Sequence, residues 1–126
     1  MRAIETAAAP RPVGPYAQAI EAGDLVFCAG QVGLDPATGR LVAGGIAAET
    51  EQALANLAAV LAAAGLGLDA VVKTTVYVTD LREWPAVNAA YARRFTAPYP
   101  ARATVAVAAL PAGAQVEIEA IAVRRR

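Results

Sequence analysis

The chain has 126 residues, 57% apolar and 17% charged, with 11 basic and 11 acidic side chains. That length fits one domain, 1–126, with a core of its own, and the zero net charge leaves no electrostatic footprint for nucleic acid. The absence of His and Ser, with Cys28 as the single cysteine, excludes His-based triads, serine nucleophiles, internal disulfides and Cys- or His-rich metal centres.

In chain order, residues 2–6 read as a short strand and residues 7–15, with Pro10, Pro12, Gly14 and Pro15, as a loop. Tyr16 opens a strand to Glu21, Gly23-Asp24 turns the chain, and residues 25–29 return. Residues 35–39 form a second turn that leads to Gly44-Gly45. A helix follows over residues 46–64, where Leu54, Leu57, Val60, Leu61 and Ala64 share one face. Glu49 and Glu51 stand in its early turns, where the helix dipole favours acids, and Gly65 caps its end. The β-branched run 71–78 is a strand. Thr79-Asp80 caps a second helix with Trp84, Val87, Tyr91 and Phe95 on its apolar face and Pro85 in its first turn. Residues 103–110 and 115–123 read as two strands joined as a hairpin by residues 111–114. The sum is an α+β domain, two helices on one face of a mixed sheet.

In that hairpin, Leu110 opposes Gln115. Val105, Val107, Val116 and Ile118 then face the core, while Arg102, Thr104, Glu117 and Glu119 face the other way with Ala106, Ala108 and Ile121. Two acids among such apolar neighbours predict a covered face. The helices occupy the first face, so a partner subunit is the natural cover. An apolar share above the roughly 45–50% of average chains points the same way. Arg102 opposes Val123 in this register, about 20 Å along the strand from Glu117. The two meet only through a bulge, strong curvature or a subunit boundary.

Arg102 is the candidate fork for a carboxylate and Glu117 the candidate acid or base. Tyr16, after the stiff Gly14-Pro15 turn, is either a packed anchor or a catalytic phenol. Gly30 either lets a ligand approach bare backbone or marks a bulge. Asn88 either caps a pocket or faces water. Cys28 reads as a small buried hydrophobe. Neither a P-loop nor a dinucleotide-binding glycine motif is present. No apolar run reaches the roughly 18 residues of a membrane span. The first residues lack a signal pattern, which with one reduced Cys fits a cytoplasmic protein. Arg124-Arg125-Arg126 reads as a solvated, frayed terminus.

These residues together resemble the RidA/YjgF family, also called the L-PSP endoribonuclease family, over nearly the whole chain. The markers are Gly14-Pro15-Tyr16 with Gln18, Ala29-Gly30-Gln31, Asn56-Leu57, Val72-Lys73-Thr74-Thr75-Val76, Asp80-Leu81, Val87-Asn88 with Tyr91, Pro100-Ala101-Arg102 and Val116-Glu117-Ile118-Glu119-Ala120-Ile121-Ala122. The resemblance implies a chorismate-mutase-like homotrimer with ligand clefts between subunits. It implies cofactor-free and metal-free hydrolysis of 2-imino or 2-enamino acids to 2-keto acids and ammonia. Arg102 would hold the substrate carboxylate, with Tyr16, Gly30, Asn88, Thr104 and Glu117 lining the site. Thr104 stands where active members of the family often carry Cys, and Ala29 where many carry Ser. A non-catalytic trimer that binds small carboxylates and an RNA-directed translation inhibitor are the alternatives.

Overall fold

The structure, a computed structural model, describes residues 1–124; Arg125 and Arg126 of the basic run lie outside them. Six strands are present: β1 (Arg2–Ile4), β2 (Ala19–Ala22), β3 (Leu25–Val32), β4 (Val71–Val78), β5 (Ala101–Ala106) and β6 (Val116–Val123). They form one mixed sheet in the order β1-β2-β3-β6-β4-β5. Helix α1 (Gly45–Ala63) and helix α2 (Trp84–Ala92) cover one face.

Helix α1 owes its place to the stripe read from its spacing: Leu54, Leu57, Val60 and Leu61 are fully buried. At its end the Leu66 N–H donates to Leu61 O at 2.8 Å and the Gly65 N–H to Ala62 O at 2.9 Å, the paired bonds of a Schellman cap. Asp80 caps a 3-10 turn, Leu81–Glu83, rather than the helix itself, accepting the Arg82 N–H at 3.0 Å. Helix α2 then begins at Trp84 with Pro85 in its first turn.

The expected hairpin does not form. β5 pairs in parallel with β4, and β4 stands between β5 and β6, which it joins antiparallel. The strand ends at Ala106, so residues 107–115 make a connection long enough to carry the chain past β4 to β6. On the other side α2 supplies the crossover that a parallel β4–β5 pair requires. This pairing resets the faces. Thr74 opposes Arg102 and Val76 opposes Thr104, so Arg102 and Thr104 lie on the helix-covered face. Val105, expected in the core, is on the open face and 43% exposed. Ala106 opposes Val78 on the helix side and Ala108 lies outside the strands. Glu117 and Glu119 do lie on the open face, opposite Tyr77 and Thr75, and Ile121 lies with them opposite Lys73.

Buried polar groups fasten the layers. Asn56, inside the apolar stripe of α1, donates to Val32 O at 3.1 Å and Leu34 O at 2.9 Å. Glu49 does more than answer a dipole: it is 2% exposed, and its two carboxylate oxygens accept the Gln115 N–H and side-chain amide, each at 2.8 Å. Arg124 is anchored rather than frayed, donating to Glu21 Oε1 at 2.9 Å and to Ala64 O at 2.6 Å.

Gly33 passes so close to α1 that a Cβ there would lie 2.7 Å from the Glu49 Cα and 2.9 Å from its carbonyl oxygen. Backbone cannot step aside as a side-chain tip can. Gly33→Ala should therefore lower stability by about 1–3 kcal/mol in urea unfolding, the usual cost of overpacking. An unchanged midpoint would contradict this reading of the strand–helix contact.

Candidate active site

The acid end is built where β3 bulges. Cys28 opposes Ala120 and Gln31 opposes Ile118, so Ala29 and Gly30 together face the single residue Glu119. Gly30 is thus in a bulge, and its bare backbone is also approached, by Glu117. A Cβ on Gly30 would lie 2.5 Å from Glu117 Oε2 and 3.0 Å from its Cγ. The missing side chain is what seats the Glu117 carboxylate. Partial burial, and then the charge of Glu119, push the Glu117 carboxyl above its usual range. The Tyr77 hydroxyl donates to Glu119, and that bond keeps the phenol protonated by raising its pKa. Cys28 is buried and its thiol is pushed up to about 11, so it stays an inert hydrophobe.

Tyr16 lies in the loop before β2, not in the strand, and is 52% exposed. Its hydroxyl accepts the Val13 N–H at 3.4 Å. Two residues on, Gln18 is buried and accepts the Thr6 N–H at 2.7 Å while its amide donates to Thr6 O at 3.1 Å and Pro10 O at 2.9 Å. It pins the proline loop. The Gln18 carbonyl accepts the Ala29 N–H at 2.9 Å, which brings the loop of Tyr16 to the same end of β3 as Gly30 and Glu117.

The cation end lies on the other face. Arg102 donates through Nη2 to Asn88 Oδ1 at 2.7 Å, so Asn88 faces the guanidinium and not water alone. The guanidinium carbon sits 5.0 Å from the Trp84 ring centre and 4.9 Å from that of Tyr91. The Tyr91 hydroxyl in turn shares a 2.8 Å hydrogen bond with the buried Thr74 hydroxyl. Among the described residues no carboxylate pairs with Arg102. The hydroxyl oxygen of Thr104, next along the same face, is buried with no hydrogen-bond partner.

One chain therefore brings Gly30 to Glu117 and Asn88 to Arg102, but not Arg102 to Glu117. They project from opposite faces of the sheet with β4 between their strands. Sequence reasoning missed Tyr77 and Gln18 as site-building residues; of the two rings it placed on the apolar helix face, Tyr91 is in the core and Trp84 is 42% exposed, and both also meet the guanidinium. A signal for the last two exists: Trp84, Asn88 and Tyr91 recur at four- and three-residue steps, a single helical face with an amide between two rings.

The chain thus presents a guanidinium beside two aromatic rings on one face of the sheet and a carboxyl seated against a bare glycine on the other. The family model for Endoribonuclease L-PSP matches residues 6–124. The chain is 46% identical to the human 2-iminobutanoate/2-iminopropanoate deaminase over 98% of its own length and 90% of that protein. Crystal structures agree: RidA from the Antarctic bacterium Psychrobacter sp. PAMC 21119 has a TM-score of 0.95 at 44% identity, covering 98% of this chain and 99% of that one. E. coli TdcF with bound serine has a TM-score of 0.93 at 38% identity, covering 99% and 100%. The chain belongs to the RidA/YjgF, or L-PSP, family. Among the described residues no helix is long and apolar enough to cross a membrane.

The raised Glu117 carboxyl carries a prediction of its own. A folded-state pKa above the unfolded one means that the charged form costs stability once pH exceeds the unfolded value, about 4.3. Glu117→Gln should melt higher than wild type at pH 7, and the difference should shrink as pH falls through the carboxyl range. A lower melting temperature at pH 7 would show that the carboxylate is held by favourable contacts instead.

Proposed function

We propose that the protein is a hydrolytic deaminase that converts 2-imino acids, and the enamines that tautomerise to them, into 2-keto acids and ammonia. The observation that carries this reading is Arg102: a guanidinium lying over two rings, tethered to Asn88 and paired with no carboxylate among the described residues. Such a group is a receptor for a carboxylate. The likeness to the human deaminase supports the reaction class.

The site is shared between subunits of a homotrimer. Arg102 and Glu117 lie on opposite faces of one sheet, so one chain cannot close both around a small molecule. Two copies can. The open face supports such an assembly, since Leu25, Phe27 and Val105 are 38%, 43% and 43% exposed there.

The chemistry asks little of the chain. A protonated imine carbon is already electrophilic, so Arg102 orients the carboxylate and Glu117 activates water. Glu117 takes a proton as the water oxygen bonds to C2, giving a carbinolamine. It returns that proton to nitrogen and then takes the hydroxyl proton as the C–N bond breaks, so that ammonia leaves and a 2-keto acid remains. A carboxyl pushed above its usual range suits this two-way traffic better than an ordinary one. Tyr16, at the same end of β3, closes the acid side of the site, and the Thr104 hydroxyl lies beside the fork. The second reading, a trimer that binds small carboxylates without turnover, is favoured by Thr104 in place of the family's frequent Cys. Zero net charge weighs against an RNA substrate.

Assays on freshly generated 2-iminobutanoate separate these readings. Light scattering should give three times the chain mass. Arg102→Lys should cost about 2–5 kcal/mol of transition-state stabilisation, roughly 30- to several-thousand-fold in rate, with the trimer intact. Glu117→Gln should bind 2-oxobutanoate nearly as wild type does yet turn over far less. Wild-type protein that binds 2-oxobutanoate but leaves the imine untouched would establish the binder instead.

A further inference from the structure

We propose that Trp84 and Tyr91 are positioning residues: an aromatic clamp that fixes the plane of the Arg102 guanidinium and leaves only its edge to a ligand carboxylate. The proposal rests on the carboxylate-binding reading of Arg102, though not on turnover. The two rings lie 5.0 and 4.9 Å from the guanidinium carbon, both within cation–π range. Asn88 Oδ1 accepts from Nη2 at 2.7 Å and sets the rotation within that plane.

The jaws differ in how they are held. Tyr91 is 5% exposed, its hydroxyl tied to the fully buried Thr74 and its ring 4.5 Å from that of Phe95. It is the fixed jaw. Trp84 is 42% exposed at the first position of α2, so it contributes little to the core. It is the outer jaw, bordering the side from which a ligand arrives. A free arginine side chain loses rotamer freedom when it grips a carboxylate. A clamped one has lost that freedom on folding, so its fork is ready before the ligand comes.

Trp84 is the only tryptophan in the chain, so its emission reports directly on the clamp. Titration of the wild-type protein with 2-oxobutanoate should change that emission saturably. Trp84→Leu keeps bulk but has no π face. It should weaken 2-oxobutanoate roughly 2- to 30-fold by calorimetry, the range that cation–π contacts span, with the melting temperature and oligomer mass held. Trp84→Phe should restore most of the affinity. A ligand-free readout stands beside this: the Arg102 Nε–H resonance should be ring-current shifted in the wild type and move towards the free-arginine position in Trp84→Leu. Equal affinity and an unmoved resonance in Trp84→Leu would overturn the clamp. If the clamp signatures appear while no imine is hydrolysed, the clamp stands and the deaminase reading falls. If imine is hydrolysed with the same KM in wild type and Trp84→Leu, the deaminase stands and the clamp falls.

Discussion

A residue on a β-strand can project to one face of its sheet only, and that alternation separates the cation of this site from its acid. Arg102 follows Thr74 and faces the helices, while Glu117 follows Tyr77 and faces away. Each half is then built from what its own face supplies. The helix-covered side offers aromatic rings and an amide from α2, and they hold the guanidinium. The open side offers a bulge and a bare glycine, and they seat the carboxylate.

The separation has an electrostatic consequence: Arg102 and Glu117 in direct contact would neutralise one another. Held on opposite faces, the guanidinium keeps its donors and the carboxyl keeps a pKa raised by burial and by Glu119 rather than lowered by a cation. The rest of the fold supports the two ends. Glu49 ties α1 to the start of β6, and Gln18 ties the proline loop to the bulged end of β3.

Much of this was legible in the sequence, and the failures have a common cause. Periodicity identified both helices and most strands because each apolar stripe is written locally. It placed Glu117 and Glu119 on the face away from the helices for the same reason. Strand partners are not local. A four-residue turn signal at 111–114 suggested a hairpin, whereas the crossover through α2 sends β5 parallel to β4 and moves Arg102 to the other face. Arg102, Glu117 and Gly30 stood out as candidates because a charge or a glycine in an apolar strand is conspicuous. Tyr91 is in the core as its face implies, but Trp84 is not, and neither ring's contact with the guanidinium shows in the spacing, because an apolar helical face looks the same whether it meets leucines or a cation. Gln18 and Glu49 pair with groups far along the chain, which spacing does not reveal.

The central claim is that each site takes Arg102 from one subunit and Glu117 from another, and subunit mixing tests it. Arg102→Lys and Glu117→Gln chains, each nearly inactive alone, are co-expressed in equal amounts so that they assemble together. If the sites are shared around a three-fold ring, about a quarter of them pair an intact Arg102 with an intact Glu117, and imine turnover should recover to about a quarter of the wild-type rate. If both residues of a site came from the same subunit, every site would carry one defect, and mixed trimers no more active than either parent would contradict the account.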